Sequence, residues 1–167
     1  MIFVTVGTHE QPFNRLIKKV DELKRDGIIK EDVIMQIGFS TYIPKYCEYK
    51  KLFSYDEMIE NVKKARIVIT HGGPSSFIMP LQEGKIPVVV PRKLKFHEHV
   101  NDHQVEFVRM ENERYKNIII VEDEQKLGRY IKNYDSIVTE KNGENINNNS
   151  IFNDKFEKIV ETLIKKS

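Results

Sequence analysis

A single cysteine, Cys47, leaves no partner for an internal disulfide, and such sparing use of thiols fits a reducing compartment. Long apolar runs are also missing. No window reaches about 18 consecutive apolar residues, so no membrane-spanning helix is expected. The opening MIFVTVG is too short for a secretion signal and reads as a first strand. Charge of one sign is missing too: 27 Lys and Arg face 25 Asp and Glu, a net +2, with lysines spread along the chain. That balance gives no field for nucleic acid. The G-x-G-x-x-G dinucleotide fingerprint, any Asp-x-Asp pair and any internal repeat are absent as well. What remains is an ordinary soluble composition, 40% hydrophobic and 31% charged over 167 residues, enough for one domain with one core and a cytoplasmic setting.

Short β-branched runs alternate with helical periodicity. Strands are expected at 2–6, 33–38, 66–70, 87–91 and 117–121, with a weaker polar one at 46–53 nearer an edge. Helical spacing of Phe13, Leu16, Ile17, Val20 and Leu23 ends at Gly27. Ser54 and Glu57 form a capping box before Met58, Ile59, Val62 and Ala65. Further helices are expected from Pro74 to Gln82, from near Asp102, and over 122–133. The polar stretch 92–102 reads as a loop, and the Asn-rich stretch 134–150 as a flexible one. The chain then closes in an amphipathic helix over 151–167, with Phe152, Phe156, Ile159, Val160, Leu163 and Ile164 on one face. Residues 1–133 thus read as an α/β domain: a Rossmann-like parallel sheet with helices on both faces.

Ligands of such sheets sit at the carboxyl ends of the strands. The segment HGGPSSF (71–77) lies there. Gly72 and Gly73 permit a sharp turn and close approach of a ligand, and Pro74 suits a first helical position. The N–H groups of Ser75, Ser76 and Phe77 would then face an anion such as a phosphate. A plain strand-to-helix turn, with Gly for geometry and Ser for capping, accounts for the same residues without a ligand. VGTHEQPF (6–13) is a second such turn, placing Gly7, Thr8, His9 and Gln11 before a helix. Three histidines in 95–104 (KFHEHVNDHQ) invite a zinc hydrolase reading, but the spacing of His99 from Asp102–His103 is wrong and no histidine follows residue 103. Asp102, His103 and Gln104 suit hydrogen bonding at a helix start, Asp102 as its cap and Gln104 toward a sugar hydroxyl.

Taken together, THGGPSSFIMPLQEGKIPVVVPRKLKFHEHVNDHQVEFV (70–108) and MIFVTVGTHEQPFNRLI resemble the donor-binding, C-terminal half of GT-B glycosyltransferases of family 28. Within that family the chain resembles bacterial exopolysaccharide and capsule subunits of the PssE and EpsF type. These are similar in turn to the catalytic subunit of the split eukaryotic enzyme that adds the second N-acetylglucosamine to dolichol-linked chitobiose. The resemblance covers residues 1 to about 125. It implies a UDP-sugar as substrate, no cofactor and no metal, and transfer of a hexose, galactose before glucose. The implied acceptor is a lipid-linked saccharide, presented by a membrane-anchored PssD-like subunit that recruits the chain to the inner face of the plasma membrane. It also implies that Ser75 and Ser76 lie near the diphosphate with Gly7 and Thr8 closing over it. Asp102 and Gln104 would meet the sugar, His71 would orient the turn or a phosphate oxygen, and His9 would face the reaction centre, so that His9 and His71 are the catalytic candidates. The general base is expected on the partner. Where complete relatives carry a ribose-binding glutamate, this chain has Pro80, and Ser75 replaces a more usual glycine. A non-catalytic accessory subunit and a nucleotide-sugar epimerase are the competing readings.

Overall fold

The structure, a computed structural model, describes residues 1–145 (side chains through 142), together with 158, 159, 161, 162 and 165. It divides into a first unit, Met1–Lys132, and a second, Asn133–Ser167. The first unit holds six parallel strands: β1 (Ile2–Thr5), β2 (Val33–Gln36), β3 (Glu48–Lys50), β4 (Ile67–His71), β5 (Val88–Val90) and β6 (Ile119–Ile120). Their order in the sheet is β3-β2-β1-β4-β5-β6. Helices α1 (Asn14–Arg25), α2 (Tyr55–Lys64), α3 (Pro74–Gln82) and α4 (His103–Tyr115) connect them, and α5 (Leu127–Lys132) follows β6 through a 3-10 turn, Glu124–Lys126.

The order explains where a ligand can go. From β1 the chain steps to β2 on one side, whereas from β4 it steps to β5 on the other. The direction reverses between β1 and β4, paired from Ile2↔Ile67 to Thr5↔Thr70, so the loops leaving their carboxyl ends part and open a crevice. Right-handed crossovers put α1 on one face of the sheet and α3 on the other. Helices α2 and α3 pack together, and Leu23 of α1 reaches Gly128 of α5. The helices therefore cover both faces, as expected.

Burial follows sequence. Every residue of β1, β4 and β5 is buried, because central parallel strands are covered on both sides. Every residue of β3 is exposed, as its polar composition and edge position require. Phe3, Val62, Ala65 and Val68 form a core cluster with Met1, Ile34, Phe53, Met58 and Met79 against it. Each large apolar side chain so buried contributes roughly 1.5–3 kcal/mol. On α1, Leu16, Ile17, Val20 and Leu23 are buried at the expected spacing. The expected capping box forms: Glu57 N–H donates to Ser54 Oγ at 3.2 Å, and Ser54 N–H to Glu57 Oε2 at 2.8 Å.

The stretch 92–102 is a loop, as expected, with one 3-10 turn, Leu94–Phe96, and it is pinned to α1 by an ion pair between Arg15 and Glu98. One expectation needs correction: 134–150 is not a loop throughout, since α6 spans Tyr134–Asn145. The Asn-rich composition begins only at Asn142, and YDSIVTEK before it has no Gly or Pro to break a helix and places Asp135 in the first turn. Residues 146–150 lie outside the described residues. So does most of the expected final helix, including Phe152, Phe156, Val160, Leu163 and Ile164. The described 158, 159, 161, 162 and 165 are helical. Among the described residues no helix is long and apolar enough to cross a membrane.

Candidate functional site: a phosphate-type helix start at the switch point

Strand β4 ends at His71, whose ring is buried, with 6% of the residue exposed. Its Nδ1 lies 3.2 Å from the N–H of Gly73 and 3.3 Å from Gln104 Nε2. A backbone N–H only donates, so Nδ1 is the acceptor and the ring proton sits on Nε2. Nε2 lies 2.8 Å from Ser76 Oγ and donates to it, which leaves the Ser76 hydroxyl hydrogen free for another acceptor. Burial, with the nearby Arg92 charge, lowers the His71 pKa to about 3. The imidazole is neutral at physiological pH, with one nitrogen tied to the turn and the other already protonated. His71 is thus arranged to orient Ser76, not to exchange protons in the crevice.

The ring also dictates its glycines. A Cβ at Gly7 or at Gly73 would overlap it, so both loops of the crevice close on one imidazole. Gly7 further adopts φ +73, which side chains disfavour, while its N–H donates to Thr5 Oγ1 at 3.1 Å. Beyond it Thr8 is exposed and His9 is half-buried. The His9 ring stacks on His99, with centroids 4.6 Å apart and planes 5° from parallel, and its Nε2 lies 2.9 Å from Gln11 Oε1. Burial, then the neighbouring His9 and Arg92, lowers the His99 pKa.

Gln104 differs from expectation. It is 8% exposed, and its Oε1 accepts from the N–H of Gly72 at 3.1 Å and of Arg92 at 3.0 Å, while Nε2 donates to His71. The side chain read as a sugar contact is a clamp inside the turn, because the second residue of α4 faces the end of β4. Asp102 does not cap α4 with its side chain. Its Oδ1 accepts from the Leu94 N–H at 2.9 Å, and Asn101 Oδ1 takes the His103 N–H at 3.0 Å. His103 is exposed. Phe77 is buried and packs on Phe107 at 5.9 Å, so its ring is core.

At the start of α3, Pro74 carries no N–H, and the Ser76 N–H turns back to the Gly73 carbonyl at 3.0 Å instead of facing outward. The Ser75 N–H, at the second helical position, has no acceptor within the helix. It joins the hydroxyls of exposed Ser75 and half-buried Ser76 as the donors available at the positive end of the helix dipole. Among the described residues no group of three or more His, Cys, Asp or Glu side chains is placed to hold a metal ion.

Two residues escaped the sequence reading. His99 was visible only as part of a metal pattern, since its pairing with His9 spans ninety positions of chain. Arg92 looked like the start of a polar loop, but it is 0% exposed. The only signal for it is a basic residue placed directly after a buried strand and a proline.

A six-stranded parallel sheet of this order, with helices on both faces, has the fold of the C-terminal half of GT-B glycosyltransferases. Residues 1–163 match the glycosyltransferase family 28 C-terminal domain, and the chain belongs to that family. It is 33% identical over 118 residues to the human UDP-N-acetylglucosamine transferase subunit ALG13, and 31% over 117 residues to the mouse protein of that name. These alignments cover 65% and 64% of this chain but only 10% and 9% of the relatives. The kitacinnamycin glycosyltransferase has the same fold, with a TM-score of 0.53 at 14% identity, over 75% of this chain and 32% of that one.

Proposed function

We propose that this chain is the catalytic, donor-binding subunit of a two-component glycosyltransferase. It moves a hexose, galactose or glucose, from a UDP-sugar to a lipid-linked saccharide in exopolysaccharide or capsule synthesis. The observation that carries this is the helix start at the switch point, where neutral His71 leaves the Ser76 hydroxyl free beside the exposed Ser75. In the transfer an acceptor oxygen bonds to the sugar's anomeric carbon as the bond from that carbon to the UDP oxygen breaks. The departing diphosphate gains charge, which the Ser75 N–H, the two hydroxyls and the helix dipole stabilise. In this reading Gly7 and Thr8 close over the diphosphate, and His9, stacked on His99, faces the reaction centre. The general base comes from the acceptor side. The described first unit is one GT-B half, so the acceptor surface belongs to another domain or chain, here a membrane-anchored PssD-like subunit. Relatives described as a transferase subunit support that arrangement.

Transfer is proposed to need no divalent metal, since the sequence has no Asp-x-Asp pair. The test is reconstitution with the partner and lipid-linked acceptor, supplied in turn with UDP-galactose, UDP-glucose and UDP-N-acetylglucosamine, with and without EDTA. Hexose transfer that requires this chain and survives EDTA is the expected result. Abolition by EDTA with recovery on Mn²⁺ contradicts the metal-free mechanism. Full activity of the partner alone would make this chain the accessory subunit, a reading favoured by Pro80, where complete relatives carry a ribose-binding glutamate.

A further inference from the structure

We infer that Arg92 is a positioning cation for the donor diphosphate, a buried guanidinium that charges the crevice without touching the ligand. The inference rests on the UDP-sugar reading above. Arg92 follows β5 and is wholly buried. Its Nη1 donates to the carbonyls of Gln11 at 2.7 Å and Glu98 at 3.1 Å, and its Nη2 to the carbonyl of Val6 at 2.7 Å. Its Nε is buried without a partner, and the guanidinium lies 5.0 Å over the Phe13 ring.

A buried charge ordinarily takes a carboxylate partner. Here the hydrogen-bond partners are all neutral carbonyls. The Glu98 carboxylate, which favours the Arg92 charge electrostatically, is bonded instead to Arg15, at 2.9 and 3.0 Å, and to the Lys93 N–H at 3.0 Å. Burial lowers the Arg92 pKa to about 10, which still leaves the group charged at neutral pH.

The position of this charge is what assigns its role. Val6 precedes Gly7, Gln11 lies in the same loop, and Glu98 precedes His99. The Arg92 N–H shares Gln104 Oε1 with the Gly72 N–H. The guanidinium therefore ties the 6–13 loop to the segment that carries His99, and the Arg92 backbone N–H ties that segment to the 71–77 turn through Gln104. Its charge also acts on His71 and His99, disfavouring the protonated form of each. A neutral His71 is the state in which Nδ1 accepts from the Gly73 N–H and holds the turn. Three carbonyls could be bridged by neutral donors, so the bridging alone does not call for a charge. A cation with no directly bonded carboxylate, beside a helix start, favours an incoming polyanion and does nothing for an uncharged nucleoside.

The test compares UDP with uridine, by calorimetry, on the wild-type chain, Arg92→Gln and Arg92→Lys. The wild type is expected to prefer UDP. Arg92→Gln is expected to lose UDP affinity about tenfold, with uridine affinity kept within about threefold, the pattern of a lost unit charge. Arg92→Lys should keep most of the UDP preference. A UDP-to-uridine ratio unchanged in Arg92→Gln overturns the inference. If Arg92→Gln fails to fold by circular dichroism, Arg92→Lys decides: a retained ratio supports the role, and a ratio lost with uridine binding intact overturns it. No UDP binding by the wild type would refute the UDP-sugar reading itself and take this inference with it.

Discussion

At the scale of the residue, the site is a set of hydrogen bonds that converge on His71. Replacing Ser76 with alanine removes a phosphate donor, and calorimetry should show UDP binding weaker by about 1–2 kcal/mol. Gln104→Ala should behave differently from the loss of a sugar contact. It strips the acceptor from two buried N–H groups, Gly72 and Arg92, and each orphaned group costs about 1–3 kcal/mol. The variant is expected to melt earlier and to lose UDP affinity as well as turnover. Normal stability with only turnover reduced would return Gln104 to the sugar. Acid should expose His71. The native fold leaves it unprotonated until pH nears about 3, whereas an unfolded chain takes up that proton near the ordinary value of 6.5. Stability therefore declines as pH falls below about 6.5, and the contribution is complete above it. His99, lowered in the same direction, adds to the slope. Denaturant midpoints measured from pH 7 to 4 should fall less steeply in His71→Asn than in wild type. The places of Gly7, His71, Gly73, Ser75 and Ser76 at two strand ends and a helix start were legible in the sequence because Gly, Pro and Ser report local geometry. The Arg92 burial and the His9–His99 stack were not, since each depends on which loops meet.

At the scale of the element, the crevice depends on the segment 92–102 being held. Arg15 on α1 reaches Glu98 at 2.9 Å and Glu124, in the 3-10 turn before α5, at 3.0 Å, and its guanidinium lies 4.8 Å over Phe96. Glu98 is 3% exposed, so Glu98→Ala leaves Arg15 with Glu124 as its one carboxylate partner and the Lys93 N–H without its acceptor, and should destabilise by roughly 1.5–3 kcal/mol. Urea titration checks this. A change below about 1 kcal/mol would mean that the segment is held by its backbone alone. Strand and helix positions were readable because period and caps are local: the Ser54 and Glu57 box and the β-branched runs fell where expected. The anchor of the 92–102 loop is not legible locally, because it lies on α1 about eighty residues earlier, and α6 is hidden by the asparagines that follow its first eight residues.

At the scale of the whole molecule, strand order does the work. The two turns that looked separate in sequence, 7–13 and 71–77, meet because the sheet reverses direction between β1 and β4. One imidazole then fits between their glycines, and one helix start faces the opening. The family is the glycosyltransferase family 28 C-terminal domain, and the central claim is that this helix start holds the diphosphate of a UDP-sugar. Titration of the isotopically labelled chain with UDP, followed by amide resonances, tests it most directly. The account predicts saturable shifts concentrated at Gly7, Thr8 and residues 72–76, and their loss at equal UDP concentration in Ser76→Ala. Shifts that leave these residues still, or no saturable response to UDP at all, would contradict it.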